Sequence, residues 1–308
     1  PKRLSADLDE MITQLCEEYG ATLPTAPEVA DLRVGFTEPV PLGVIAELMD
    51  MSEAGNFRHW YNDIVSAGIS NVNKDPAVHA RGEAARDELF AFVTPTIETR
   101  RECPGDELLS DLCSMEYEGE RLSDDEVRSF TAFLLSAGIE TTDRASANLV
   151  KHLILNPDQW RRLKDDRSLV ASAVTEILRY RPPVQGTIRL ALTDVDIDGT
   201  VIPEGSKVMS FIASANHDPT VFDDPETFDV GRFVGNERPQ YTPIGPVRAF
   251  GAGEHTCTGS LLAKLEMERS VEYLLDRFDR IEFAGDAPPD TGLMLRSPSS
   301  LDVLLYES

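Results

Sequence analysis

The sequence is short of most features that announce a special class. It has four cysteines in 308 residues, and Cys16, Cys103, Cys113 and Cys257 show no C-x-x-C spacing. That argues against a disulfide-stapled frame and a cysteine zinc site, and fits a reducing cytoplasm. Basic residues are scarce: 29 Lys and Arg stand against 54 Asp and Glu, a net charge of −25. A surface so acidic repels nucleic acid and anionic membranes. Long apolar runs are missing too. The longest, Phe130 to Ile139, is interrupted by Thr131 and Ser136 and ends at Glu140, too short to span a bilayer. Pro1 to Gly20 is acidic and amphipathic and lacks a secretory pattern. No H-E-x-x-H, G-x-S-x-G, repeat, low-complexity tract or flexible linker occurs.

What is present reads as one mainly α domain with small β sheets, helical over residues 1–180 and mixed over 181–308. Apolar spacing predicts helices at Leu8–Tyr19, Leu42–Met51, Phe57–Ala67, Val78–Arg100 and Leu108–Met115. Ser123 and Glu126 form a capping box that opens a helix of about eight turns, ended by Asn156–Pro157. Another helix, Leu169–Tyr180, stops at Pro182–Pro183. Strands are expected at Thr187–Leu192, Val195–Ile197 and Lys207–Ala213, with turns at Asp198–Gly199 and Pro203–Gly205. Asn216 to Thr256 reads as ordered loop, Ser260–Phe278 as helix, and Ile281–Phe283 and Leu301–Leu305 as short strands.

Two motifs fail on inspection. Gly251-Ala252-Gly253 starts like a dinucleotide fingerprint, but Thr256 stands where its third glycine belongs. Asp194, Asp196, Asp198 and Gly199 imitate a calcium loop whose twelfth position should be Glu and is Gly205. A third segment holds up. In Phe250-Gly251-Ala252-Gly253-Glu254-His255-Thr256-Cys257-Thr258-Gly259, the cysteine sits at a helix entry, where the dipole and free N–H groups favour a thiolate. The glycines allow close backbone approach to a flat ligand, and Phe250 would cover the sulfur. Such a thiolate suits a haem iron; a buried free cysteine in a Gly-rich turn is the plainer alternative.

This segment resembles the haem-thiolate signature F-G-x-G-x-H-x-C-x-G of the cytochrome P-450 family, soluble bacterial type, and Leu262 to Glu266 continue it. The resemblance begins at the family's D helix, so the chain is expected to be N-terminally incomplete, without helices A–C and the first strands. It implies thiolate-ligated haem b (iron protoporphyrin IX), with Cys257 as the axial ligand and His255, Arg189, Phe250, Gly251 and Ala137 around the cofactor. In Ala137-Gly138-Ile139-Glu140-Thr141-Thr142 the family's acid–alcohol pair falls on Glu140 and Thr141, which would deliver protons for dioxygen activation. The residues agree: Phe130, Leu134, Ala137 and Thr141 share a helix face, and the Thr141 hydroxyl reaches the Ala137 carbonyl. Gly138 would let a ligand approach. Glu176-x-x-Arg179 matches the family's E-x-x-R helix, with Arg232 as the third partner of a folding lock. By resemblance alone, Leu134, Ala137, Val184, Gln185, Thr187, Ile188, Met294 and Leu295 line the substrate pocket, most of them apolar.

The implied activity is a monooxygenase of secondary metabolism that oxidises a small, largely apolar substrate, free or presented on a carrier protein. No flavin or iron–sulfur module is evident in the sequence, so the expected electron donors are a ferredoxin and its NAD(P)H-dependent reductase. Their docking face would be a basic patch of Arg238, Arg248, Lys264 and Arg269. A haem-binding scaffold without turnover and a peroxide-driven peroxygenase are the alternatives.

Overall fold

Helix signals dominate the sequence, and helices dominate the fold. The computed structural model describes residues 6–51, 57–68, 73–105, 107–236 and 245–307. In chain order the elements are α1 (Ala6–Ala21), β1 (Val29–Asp31), a π-helical turn (Arg33–Thr37), α2 (Pro39–Leu48), α3 (Phe57–Ala67), α4 (Pro76–Glu102) and α5 (Leu108–Ser114). The hairpin β2 (Glu116–Tyr117) and β3 (Glu120–Arg121) leads to α6 (Asp124–Leu155), α7 (Pro157–Asp165) and α8 (Val170–Tyr180). Then come β4 (Gly186–Leu190), β5 (Val195–Ile197), β6 (Thr200–Ile202), β7 (Lys207–Phe211) and α9 (Ile212–Ala215). The chain closes with α10 (Ser260–Arg277), β8 (Phe278–Phe283), β9 (Asp290–Thr291), β10 (Ser297–Pro298) and β11 (Asp302–Glu307).

Two compact units emerge. The first holds the described residues up to Tyr19 and from Glu38 to Asp143. Its core draws Ile45, Trp60, Leu89, Ile97, Leu135 and Ile139 from four helices. Each such side chain, taken from water, stabilises the fold by about 1.5–3 kcal/mol. The capping box at the start of α6 forms as its sequence dictates. The Ser123 N–H donates to Glu126 Oε2 at 2.8 Å, and the Glu126 N–H donates to Ser123 Oγ at 3.3 Å. Gly138 answers a packing need within this unit: a Cβ there would lie 2.8 Å from Ile45 Cδ1. The expected ligand approach is not needed to explain the glycine.

The second unit holds Gly20–Thr37 and the chain from Arg144 onward. Helices α7, α8 and α10 pack together there. Strand β11 is the centre of an antiparallel sheet ordered β1-β11-β8, with Val303 and Leu305 buried and Asp302 and Glu307 exposed, the period-2 alternation of a half-covered strand. The β4–β7 ladder pairs Thr187 with Ser210 and Arg189 with Val208.

Several expectations need correction. Pro157 does end α6, but it also opens α7 as an N1 proline, fixed at a helical φ with no N–H to lose. The strand expected to run to Ala213 stops at Phe211, because Ile212 turns inward, 7% exposed, as the first residue of α9. The three-residue β1 and the short β9–β10 pair had no readable pattern.

Candidate functional site

Cys257 lies three residues ahead of Ser260, the first residue of α10, whose N-cap is Gly259. Its loop is folded on its own backbone. Gly251 and Gly253 sit at φ +76° and +70°, a region that disfavours side chains. The Gly251 N–H donates to Arg248 O at 2.9 Å, and the Cys257 N–H donates to Phe250 O at 2.9 Å. The Thr256 hydroxyl and N–H both donate to Gly253 O. The thiol is thereby presented to solvent, uncombined with any other cysteine. His255 is exposed at the end of a single 3₁₀ turn, Gly253–His255, and Phe250 is half-buried.

Arg189 is exposed on β4, its guanidinium donating only to the neighbouring Ile188 carbonyl. Beside it, Ile188 and Leu190 are 55% and 56% exposed, and Leu261 on α10 is 55% exposed. An exposed soft sulfur, an exposed cation and bare apolar side chains are the donor set for an iron, a carboxylate and a flat apolar ring. The residues of this unit therefore fit thiolate-ligated haem b.

The supporting frame is buried. Glu176 and Arg179 are both 0% exposed and make a fork-to-fork pair, with Nε–Oε2 at 2.8 Å and Nη2–Oε1 at 2.9 Å. Arg232 joins from the loop at 3.1 Å to Glu176 Oε1. The remaining guanidinium hydrogens go to carbonyls: Arg179 to Asn216, Pro225 and Thr227, and Arg232 to Asp223, Asp224 and Thr227. All three predicted partners meet.

Four predicted pocket residues also meet. Val184 bridges Leu295, the Gln185 N–H donates to Met294 O at 2.8 Å, and the Arg296 N–H donates to Pro183 O at 2.8 Å. Gly292, at φ +93°, makes the preceding turn; a Cβ there would strike Leu295 O at 1.9 Å. Sequence reading missed Asn148. Its Nδ2 donates to both Arg181 O and Arg296 O and so ties the two segments together. The only available signal was an asparagine in the apolar second half of α6. Thr187 and Ile188 lie on β4, half-buried and exposed.

In the first unit, the Thr141 hydroxyl donates to Ala137 O at 2.9 Å, as its spacing requires, and Thr142 does the same to Gly138 O at 3.2 Å. Glu140 is 5% exposed, Leu134 half-buried and Ala137 exposed.

The expected basic patch fails at Lys264, which is buried rather than facing solvent. Arg269 is engaged by Glu272, and Arg238 lies outside the described residues. Among the described residues no helix is long and apolar enough to cross a membrane.

Similarity to known proteins points the same way as the donor set. The family model for cytochrome P-450 matches residues 72–303. Cytochrome P-450 107B1 of Saccharopolyspora erythraea is 37% identical over 282 residues, 91% of this chain and 64% of that protein. Steroid C26-monooxygenase of Mycobacterium tuberculosis is 34% identical over 296 residues, 95% of this chain and 73% of that protein. The structure of a cytochrome P-450 from Chondromyces apiculatus superposes with a TM-score of 0.87 at 32% identity, over all of this chain and 74% of the other. The chain thus spans from about three-fifths to three-quarters of the lengths of these proteins. With the sulfur loop, the buried Glu–Arg–Arg lock and these likenesses together, the chain belongs to the cytochrome P-450 family.

Proposed function

We propose that the protein is a haem-thiolate monooxygenase that oxidises a small, largely apolar substrate. The observation that carries this reading is Cys257, solvent-exposed on a backbone-pinned glycine loop at the entry to α10. When bound, the haem supplies dioxygen activation. The chain's own residues do the rest. Cys257 holds the iron; Arg189 and His255 bind the cofactor's carboxylates; Phe250, Gly251 and Ala137 shape its surroundings. Glu140 and Thr141 hold and hand on protons, the Thr141 hydroxyl resting on Ala137 O until it is drawn away. Val184, Gln185, Thr187, Ile188, Met294, Leu295 and Leu134 contact substrate.

Relatedness to a steroid C26-monooxygenase supports an apolar polycyclic substrate class. Electrons come from a ferredoxin and its NAD(P)H-dependent reductase, the donors that membership of the family's bacterial branch implies.

The test is reconstitution with haem, followed by the reduced carbon-monoxide difference spectrum. A thiolate-type band that disappears in Cys257→Ser supports the reading; an identical spectrum in both proteins refutes it. Thr141→Ala should raise peroxide release per electron consumed. Unchanged coupling in that variant would remove Thr141 from the proton path.

A further inference from the structure

The long loop between α9 and α10 contains a buried asparagine with no role so far. Asn216 is 0% exposed, and four hydrogen bonds meet on it. Its N–H donates to Ile212 O at 3.0 Å, and its carbonyl accepts from Arg179 Nη1 at 3.1 Å. Its side-chain Nδ2 donates to Leu178 O at 3.2 Å, and Oδ1 accepts the Arg248 N–H at 2.8 Å.

The side-chain bonds have a cause in the sequence. In a continuing helix the Leu178 carbonyl would accept the N–H of residue 182, but Pro182 has none. The last turn of α8 therefore carries an acceptor without its helical donor, and the Asn216 amide fills it. The other end of the same amide reaches the chain that leads to the sulfur. The Arg248 carbonyl takes the Gly251 N–H and the Phe250 carbonyl takes the Cys257 N–H, both at 2.9 Å. One planar amide, locked by its own backbone bonds, thus links α8 to the sulfur loop.

We propose that Asn216 is a positioning residue for Cys257: its side-chain Oδ1, set beside α8 by the residue's backbone bonds to Ile212 and Arg179, holds the Arg248 backbone that leads to the sulfur. The proposal builds on the reading of Cys257 as the iron ligand.

Two variants separate this role from general support. Asn216→Leu removes both side-chain bonds. Asn216→Asp keeps an acceptor for Arg248. Two readouts are taken: hydrogen exchange of the Arg248 amide, and the thiolate-type share of the reduced carbon-monoxide spectrum. In Asn216→Leu the Arg248 amide should exchange about tenfold faster, the loss of one buried hydrogen bond, and the thiolate share should fall. Asn216→Asp should keep Arg248 protected and retain most of the thiolate share. Wild-type protection and spectrum in the Leu variant overturn the proposal, and so does equal loosening in both variants. If the Leu variant does not fold, loss of Arg248 protection in the Asp variant is enough to reject it. A wild-type protein with no thiolate band would sink the ligand reading instead, while exchange at Arg248 still decides the role of Asn216.

Discussion

The lock around Glu176 and the loop around Cys257 belong to the same unit and are built on opposite principles. The lock buries two charges, half-buries a third and pairs all three: every Arg179 nitrogen donates, and Glu176 also accepts the Asp229 N–H at 3.1 Å. The loop buries no charge and uses almost only backbone, with left-handed glycines where side chains would interfere. Taking charges out of water costs several kcal/mol each, repaid only by full pairing. Backbone bonds in a glycine turn carry no such penalty and leave a side chain free to face a ligand. The unit thus pairs a saturated frame with a cysteine, the proposed ligand, whose side chain is left exposed.

Breaking the lock should give the largest effect. Arg179→Ala takes from the buried Glu176 carboxylate its two-bond partner, leaving Arg232, and leaves the Asn216 and Pro225 carbonyls short of donors. It should cost about 3–5 kcal/mol in denaturant unfolding. Arg179→Lys should recover little of it, because an ammonium cannot match two carboxylate oxygens and three carbonyls in one plane. A loss under about 1 kcal/mol for the Ala variant would show that the lock is not what holds this region.

The contrast also explains what was legible in the sequence. Contacts within one element could be read directly: the Ser123–Glu126 box, the Thr141 bond to the Ala137 carbonyl and the Glu176–Arg179 pair all follow from helical spacing. So could the position of Cys257, since a cysteine at a helix entry between glycines is a local arrangement. The long-range parts were not legible. Asn148 and Asn216 read as unremarkable polar residues, because their partners are carbonyls 33 and 38 residues away that only the fold brings near. Gly138 read as room for a ligand, because nothing in the sequence places Ile45 against it. Lys264 read as surface charge, because a helix pattern does not say which flank of α10 is covered.

A second, smaller effect sits on α6, against Tyr180 of the lock's helix. His152 is 8% exposed, its ring edge-on to Tyr180 at 5.2 Å and tilted against Phe228 at 5.8 Å. Burial first, then the Arg181 charge, lowers its pKa to about 4 from the usual 6.5; Lys151 lowers it further and Asp290 works the other way. The sign follows. Above pH 6.5 the ring is neutral folded and unfolded, and nothing is lost. Between 6.5 and 4 the unfolded chain takes up a proton that the folded chain refuses. Stability should therefore drop by about 3 kcal/mol across that window. His152→Phe keeps the ring and removes the titration, so its unfolding free energy should fall less over the same range. Parallel pH profiles for the two proteins would contradict this.

Glu266 tests the opposite direction on α10, the helix that follows the sulfur loop. Its side chain is buried, Oε2 has no hydrogen-bond partner among the described residues, and burial pushes its pKa well above the ordinary carboxylate range. At low pH the carboxyl is protonated in both states. As pH rises past the ordinary range, the unfolded chain ionises and the folded chain does not, so stability declines. Glu266→Gln should abolish that decline and gain steadily on wild type as pH rises above the ordinary carboxylate range. A constant difference between the two proteins from pH 4 to 8 would mean that Glu266 finds a partner.

The smallest expected effect on stability is at Cys257, the proposed iron ligand. Cys257→Ala removes an exposed sulfur that makes no side-chain bond, so the haem-free protein should unfold within about 0.5 kcal/mol of wild type. The same substitution should abolish the thiolate-type spectrum completely. Arg179→Ala should reverse that order, with a large loss of stability before any question of ligation arises. Together the two variants measure how far support and chemistry are separated in this unit. Should Cys257→Ala destabilise the haem-free chain by 2 kcal/mol or more, the loop would be leaning on its sulfur, and the division between a saturated frame and an uncommitted ligand would have to be given up.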